Sequence, residues 1–473
     1  MPKSIKNKGV GKGVEKKVYM NKKMELQEKK EKMEAALEEQ VVERIKKGPN
    51  LLRGMHDILP KEEKYWKKIY NTAQNLADYF RFGRIETPVL EEAQLYIRSV
   101  GKGTDIVEKE MYIFEDRDGA KVALRPEGTA GVVRSYLSNG MWNMAQPVKV
   151  WYYESMFRHE RPQAGRFRQH YQIGFETFGV KDPAIDAELI LVGFNLCKDL
   201  GLPVEVKINS LGTTEERTRY KMELTNYYRS KRSYLCEDCR TRLTKNPLRL
   251  LDCKEEQCQP IKEEAPQIID WLQDESKKYF MSVLEFLDEL SIPYVLAPTL
   301  VRGLDYYCHT IFEFVGVIGE DRTSYSLGGG GRYDLLIEEI GGKPTPAAGM
   351  GLGAERIVLA LKELEEKTKT AVVEEPKNDV FFAQLGGDAK RHALKIINEL
   401  RESKLRVAFN FFKTSLKGQL EIADSLGTNY VLILGQKEVQ DKTIIIRDME
   451  SGVQEIVDQK KIEPILKKKL GLI

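Results

Sequence analysis

Four arginines fall in an eleven-residue stretch, Arg158, Arg161, Arg166 and Arg168, with His159 among them and His170 just beyond. An arginine presents a rigid fork of donors that grips phosphate or carboxylate through paired bonds. The run Phe157-Arg158-His159-Glu160-Arg161-Pro162 is therefore the strongest chemical feature of the chain, an anion grip or else a solvated hairpin tip.

Three further constellations carry candidate chemistry. In Leu300-Val301-Arg302-Gly303-Leu304-Asp305-Tyr306-Tyr307, an arginine, an acid and two phenols stand within six residues, and Gly303 allows close backbone approach. The same run also suits a tyrosine-bearing turn in a core. Leu327 to Asp334 contains four consecutive glycines, Gly328 to Gly331. Glycines are costly in backbone entropy, so this run suits a flat pocket floor better than a connector, although a flexible loop is the other reading. It is not a phosphate loop, because no Lys-Ser or Lys-Thr follows. In Gly349-Met350-Gly351-Leu352-Gly353-Ala354-Glu355-Arg356 the glycine spacing is wrong for a dinucleotide fingerprint. Arg356 opens an apolar helix and could project into whatever the glycines border, or be an ordinary solvated arginine.

The elements that must position these groups follow from periodicity. Tyr65, Trp66, Ile69, Leu76 and Tyr79 recur at helical spacing within residues 61–81, and Gly83 and Pro88 punctuate a passage from helix to strand. Residues 148–152 and 172–176 are expected to be strands joined by a long polar loop, and 204–208 a third strand by strict alternation. Residues 212–298 are charged, helical and cysteine-bearing, without strand signals. Residues 365–377 are charged and poor in large apolar side chains, a natural linker. Beyond them, strands at 380–382, 406–409, 430–434 and 443–446 alternate with helices at 389–402 and 416–426, a small α/β domain. The N-terminal residues 1–50 hold 13 Lys and one Arg against eight Glu. Residues 1–18 are expected to be disordered and 21–47 an exposed helix, a solubilising tail or a basic arm touching RNA.

A chain of 473 residues implies two or three domains. Its net charge of +3 does not announce a polyanion partner, so nucleic-acid binding would rely on local patches. No apolar run reaches the roughly 18–20 residues that cross a bilayer, so no membrane association is expected. The N-terminus has no apolar signal core. A cytoplasmic location follows as the expectation, and with it reduced cysteines. Cys236, Cys239, Cys253 and Cys258 have the count and spacing of a structural zinc site, against a bland alternative of partly buried thiols.

The four constellations occur in this order ahead of a small α/β domain, and that combination resembles the class II aminoacyl-tRNA synthetases, within them the histidine-specific family. Residues 84–88 resemble motif 1, 151–178 motif 2 and 349–361 motif 3. Residues 300–307 and 329–334 are similar to the two segments peculiar to the histidine enzymes, and Leu124 to Thr129 and Gly54 to Asp57 match as well. The resemblance covers about residues 50–473. It implies an α+β fold with an antiparallel sheet flanked by helices, divided into a catalytic domain (50–211 and 299–364), a helical insertion (212–298), a linker (365–378) and an anticodon-binding α/β domain (379–473), with residues 1–49 as an extension.

The resemblance implies ATP-dependent ligation of L-histidine to tRNA(His) through a histidyl-adenylate, releasing AMP and diphosphate, by a homodimer with Mg2+ on the ATP. It implies Arg158 on the α-phosphate and the histidine carboxylate, Arg302 across the same phosphate, and Arg356 on the γ-phosphate, with Gly330 and Gly353 lining the ATP site. Glu127, Gly128, Thr129 and Gln172 would surround the α-amino group. Glu176 and Tyr307 would meet the imidazole, with Tyr306 beside them. Arg161 and Gln163 would approach the tRNA acceptor end. Cys308 and His309 fall where the family varies and receive no role. Two other readings compete: a silent relative that binds histidine as an effector, and an RNA-sensing module. The first lacks an anticodon domain and loses motif residues. The second sits beside a signalling domain, and no kinase signature is present.

Overall fold

The computed structural model describes residues 50–318, 323–373 and 378–472. The expected disordered and helical segments of the first 49 residues lie outside them. The chain divides into two compact units, the first ending at Val372 and the second beginning at Val373.

The first unit is built on an eight-stranded sheet. Its strands are β1 (Gly83–Arg84), β5 (Val148–Phe157), β6 (Gln169–Phe178), β7 (Val204–Ser210), β8 (Tyr294–Leu296), β9 (Cys308–Ile318), β10 (Thr323–Arg332) and β11 (Ala347–Gly353), in the order β1-β5-β6-β11-β10-β9-β7-β8. Pairing is antiparallel throughout the interior, while the short edge strands β1 and β8 run parallel to β5 and β7. A small separate sheet of β2 (Leu90–Glu92), β3 (Ile113–Glu115) and β4 (Lys121–Leu124) has the order β2-β4-β3.

Helices cover the large sheet as their apolar spacing dictates. Glu63–Tyr79 buries Tyr65, Trp66, Ile69, Ala73, Leu76 and Ala77, one stripe at helical spacing, whereas Tyr79, expected to continue the stripe, is exposed in the last turn. Pro183–Asp199 starts on Asp182, whose carboxylate accepts the Ala184 N–H, with Pro183 at the first helical position, where its missing N–H costs nothing. Thr213 and Glu216 form a capping box at the head of Thr214–Ser230.

The expected insertion packs onto the catalytic part: Leu224, Cys239, Leu250, Cys253 and Ile268 share one continuous core with Val150, Tyr152, Phe178 and Tyr333. Two details differ from expectation. The insertion ends in β8, which pairs with β7 through Val206 and Tyr294; three residues are too short for an alternation pattern to announce. The first four residues of the expected linker are helical, because Ala354–Thr368 runs through them.

The second unit holds a five-stranded sheet of β12 (Val380–Gln384), β13 (Val407–Phe409), β14 (Tyr430–Leu434), β15 (Thr443–Asp448) and β16 (Gln454–Asp458), in the order β13-β12-β14-β15-β16. The first three are parallel, as strand–helix alternation requires, and the last two antiparallel. Helices Gly387–Glu402 and Leu416–Ser425 supply the crossovers. Strand β16 was not anticipated; its exposed residues alternate with half-buried ones, which leaves a weak apolar signal.

Candidate active site

The site begins with the hairpin β5–β6, whose register pairs Val148 with Phe178 and Phe157 with Gln169. Arg158 follows β5, and its backbone N–H donates to Arg168 O at 2.8 Å, closing the neck of the loop. From outside, Gly54 O accepts the Arg168 N–H at 2.7 Å and the His56 ring packs on Phe167 at 4.2 Å. Gly54 has φ +83°, and a Cβ there would meet the Arg168 stem at 2.9 Å, so this position requires glycine.

A cleft of about 350 Å3 opens over the sheet. Three arginines from three different elements line it. Arg158 Nε donates to Pro126 O at 2.7 Å. Arg302, in the loop before β9, lies 3.8 Å from Glu313 Oε1, with its guanidinium 5.6 Å from the Tyr307 ring centroid. Arg356, in the first turn of Ala354–Thr368, donates from Nη1 to Ser326 O at 2.5 Å. Each is oriented by a single firm contact or stacked partner, leaving donors for an anion in the cleft.

Glu127, Thr129, Gln172, Tyr306, Tyr307 and Gly353 line the same cleft. Arg125 makes this possible by filling the space beneath: its Nη1 pairs with Glu154 at 2.6 Å and donates to Thr87 O at 2.6 Å, and its Nε donates to Ser155 O at 2.7 Å. That anchors the chain so that Glu127 caps the helix Thr129–Ser138, accepting from Thr129 N at 2.8 Å and Ala130 N at 2.9 Å. Tyr306 Oη donates to Glu127 at 3.4 Å. Burial pushes the Glu127 carboxyl up, and the two backbone donors oppose that shift.

Glu176 is placed one layer lower than a group touching a ligand in the cleft. It is fully buried and outside the lining. Thr129 Oγ1 donates to its Oε1 at 2.8 Å, Tyr333 Oη donates to its Oε2, and Tyr152 Oη stands 3.5 Å from Oε1. Burial raises its pKa to about 8 despite these donors. Gly128 and Gly330 also lie outside the lining. A Cβ on Gly128 would come within 2.4 Å of the Tyr152 ring, and one on Gly330 within 2.1 Å of Gly349 O. These glycines serve packing beneath the floor. The glycine run is strand rather than loop: β10 pairs with β11 from Gly328–Leu352 to Arg332–Ala348.

The hairpin loop splits the remaining residues. Gln163 forms an isolated antiparallel bridge with Arg166, and neither Arg161 nor Gln163 lines the cleft, whereas Glu160, Gly165 and Arg166 do. Three contributors were not anticipated: Tyr152 and Tyr333 hold Glu176, and Glu355 accepts the Tyr171 N–H at 2.9 Å. His170, noted beside the arginine cluster, lines the cleft as a neutral imidazole, its pKa lowered to about 3 by burial and the Arg158 charge. Tyr333 stood inside a run already singled out, but nothing in its spacing revealed its partner across the sheet. The four cysteines come together in the insertion, their Sγ atoms all within 4.8 Å of one another. Among the described residues, no helix is long and apolar enough to cross a membrane.

A protein-family model described as Histidyl-tRNA synthetase matches residues 54–215, and one described as Anticodon binding domain matches residues 379–469. The chain is 45% identical to the histidine–tRNA ligase of Aquifex aeolicus over 404 residues, covering 85% of this chain and 97% of that protein. It is 44% identical to that of Halothermothrix orenii over 403 residues, with coverages of 85% and 95%. Among solved structures, the apo Staphylococcus aureus histidyl-tRNA synthetase superposes with a TM-score of 0.72 at 33% identity, over 89% of this chain and all of that one. A second, from Nostoc, shares the fold at 19% identity with a TM-score of 0.61.

Proposed function

The chain belongs to the histidine–tRNA ligase family, and from that premise we propose how its cleft carries out the ligation. The enzyme joins histidine to tRNA(His). ATP-dependent activation makes a histidyl-adenylate and diphosphate, and the terminal ribose of the tRNA then displaces AMP.

The observation that carries this reading is the convergence of Arg158, Arg302 and Arg356 on one cleft whose wall is an acid and two phenols. In the first step the histidine carboxylate attacks the α-phosphorus, so two anions must meet. Arg158 would hold the α-phosphate and the carboxylate, Arg302 the opposite face of the phosphate, and Arg356 the γ-phosphate. Fixed donors of this kind stabilise charge building on the phosphoryl oxygens without reorganising. Glu127, Thr129 and Gln172 would receive the α-amino group. Tyr306 and Tyr307 would meet the imidazole, with Glu176 acting from below through Thr129, Tyr152 and Tyr333. An apolar amino acid would leave these buried groups unpaired, and such sites reject analogues by about 10⁴–10⁵. In the second step a phosphate oxygen of the adenylate would accept the ribose proton.

Magnesium would enter as part of the ATP substrate: among the described residues the only cluster of three or more His, Cys, Asp or Glu groups placed for a metal is the cysteine tetrad. We propose that this tetrad holds a structural zinc ion, because four thiolates at these separations suit that ion. We further propose a cytoplasmic homodimer. What supports pairing is the apolar exposure of the small sheet, with Leu90 at 46%, Ile113 at 43% and Phe114 at 46%. Arg161 and Gln163, on the loop outside the cleft, would face the tRNA acceptor end.

The test is ATP–pyrophosphate exchange with each amino acid in turn. Exchange is expected with histidine; exchange with none, or best with another amino acid, overturns the reading.

A further inference from the structure

Four sulfurs gather where no disulfide forms. Cys236 and Cys253 Sγ stand 3.9 Å apart, almost twice an S–S bond, and all six cysteines of the chain are free. A regular tetrahedron of thiolates about 2.3 Å from zinc has edges of about 3.8 Å. Backbone N–H groups already point at the sulfurs: Cys239 N donates to Cys236 Sγ at 3.4 Å and Cys236 N to Cys258 Sγ at 3.3 Å. Three of the four cysteines are buried.

The stretch between Cys239 and Cys253 makes the site more than a brace. It comprises the end of the helix Glu237–Lys245 and the turn Pro247–Asp252. This loop supplies three successive contacts to the catalytic part. Lys245 Nζ pairs with Glu108 at 2.8 Å, Asn246 Nδ2 donates to Asp305 Oδ1 at 3.0 Å, and Arg249 Nη2 donates to Asp105 at 3.2 Å. Arg249 also overlies Gly303, where a Cβ would stand 3.2 Å from its Nη1. Asp305 directly precedes Tyr306 and Tyr307, and Arg249 and Asp252 line the cleft itself. A loop tied at both ends by one ion loses far less order than one tied at neither, because closure entropy is removed.

We infer that zinc bound by Cys236, Cys239, Cys253 and Cys258 closes a clasp that positions the Arg302–Tyr307 wall of the cleft through Asn246 and Arg249, and so sets the affinity for histidine. This rests on the assignment of that wall to histidine. Asn246 and Arg249 are positioning residues: they act on the tyrosines through Asp305 and Gly303.

The experiment uses the full chain purified without chelator. Metal analysis is expected to find about one zinc per chain, lost in Cys253→Ser and kept in Cys197→Ser, whose thiol lies in the catalytic core. Iron with visible charge-transfer absorption, or no metal, overturns the site. In pyrophosphate exchange, wild-type protein stripped of zinc by a mercurial that is then removed with excess thiol is expected to show a histidine KM raised about tenfold, the scale of one hydrogen bond to a charged group, with the ATP KM moved much less, because Arg158 and Arg356 hold ATP from elements outside the clasp. Asn246→Ala, which leaves the tetrad intact, is expected to keep its zinc and reproduce that split, so that a Cys253→Ser chain that fails to fold leaves the test standing. A full zinc complement with an unchanged histidine KM in Asn246→Ala sinks the clasp while sparing the assignment of the cleft. Absence of histidine-dependent exchange in the untreated chain overturns that assignment and the clasp together, and leaves the zinc measurement to stand by itself.

Discussion

Gly349 on β11 lies opposite Glu176 on β6, and a Cβ on that glycine would stand 1.6 Å from Glu176 Oε2. Two positions along, a Cβ on Gly351 would come within 2.2 Å of Gln172 Nε2. The glycines of β11 are thus the space into which the polar side chains of β6 lie down, and the floor of the cleft is flat for that reason.

Gly349→Ala should therefore displace Glu176 and with it Thr129 and Tyr333. Overpacking of this kind costs about 1–3 kcal/mol. A lower melting temperature and loss of histidine-dependent exchange are expected together. A variant that retains wild-type exchange would show that the position of Glu176 is unimportant.

Glu176 should also write itself into the pH dependence of stability. Its pKa of about 8 lies above the ordinary 4.5, so between those values the folded chain holds a proton that the unfolded chain has released. The sign follows: this group's contribution to stability is greatest below the unfolded pKa and falls as pH rises toward the folded one, by at most about 1.4 kcal/mol per pH unit. Urea titrations from pH 5 to 8 should show a fall that is shallower in Glu176→Gln. Equal slopes would contradict a raised pKa.

Arg158→Gln should fold normally, because its one side-chain hydrogen bond to protein is that to Pro126 O, among the described residues. Loss of one preorganised donor lowers the rate by about 10²–10³. Single-turnover adenylate formation at saturating ATP and histidine should show that loss in the chemical step. A change confined to KM would assign Arg158 to binding alone.

Arg332 is a structural counterpart to the cleft arginines. It is wholly buried, paired with Asp186 at 2.7 Å and Asp334 at 2.9 Å, and it donates to Val180 O. Arg332→Met would leave Asp186 buried without its partner, and removing one member of a buried pair costs about 3–5 kcal/mol. The double change Arg332→Met with Asp186→Leu should cost less than the sum of the two single changes in chemical denaturation. Strict additivity would mean that the pair is not coupled.

Much of this architecture was legible in the chain itself. The stripe from Tyr65 to Leu76, the alternation at 204–208 and the strand–helix rhythm after residue 378 are one-dimensional patterns, because burial on one face imposes a period of 3.6 or 2. Arg158, Arg302 and Arg356 could be singled out because each stands in a short run dense in arginine, phenol or glycine, and the order of four segments pointed to the family. Residue type and local spacing determined that much.

Register and depth were decided only in three dimensions. Which residue faces Glu176 depends on the pairing of β6 with β11, and a slip of one residue would turn Gly349 away from it. That Glu176 lies beneath the floor while Thr129 lines it, that Tyr333 and Tyr152 supply its donors, and that β8 rejoins the large sheet are contacts between segments far apart in the chain. The cysteine spacing suggested a metal, but only the fold showed that the loop it closes carries Asn246 to Asp305. Such contacts are chosen by the packing of whole elements, whose free energy is shared among many residues and leaves no local mark on any one of them.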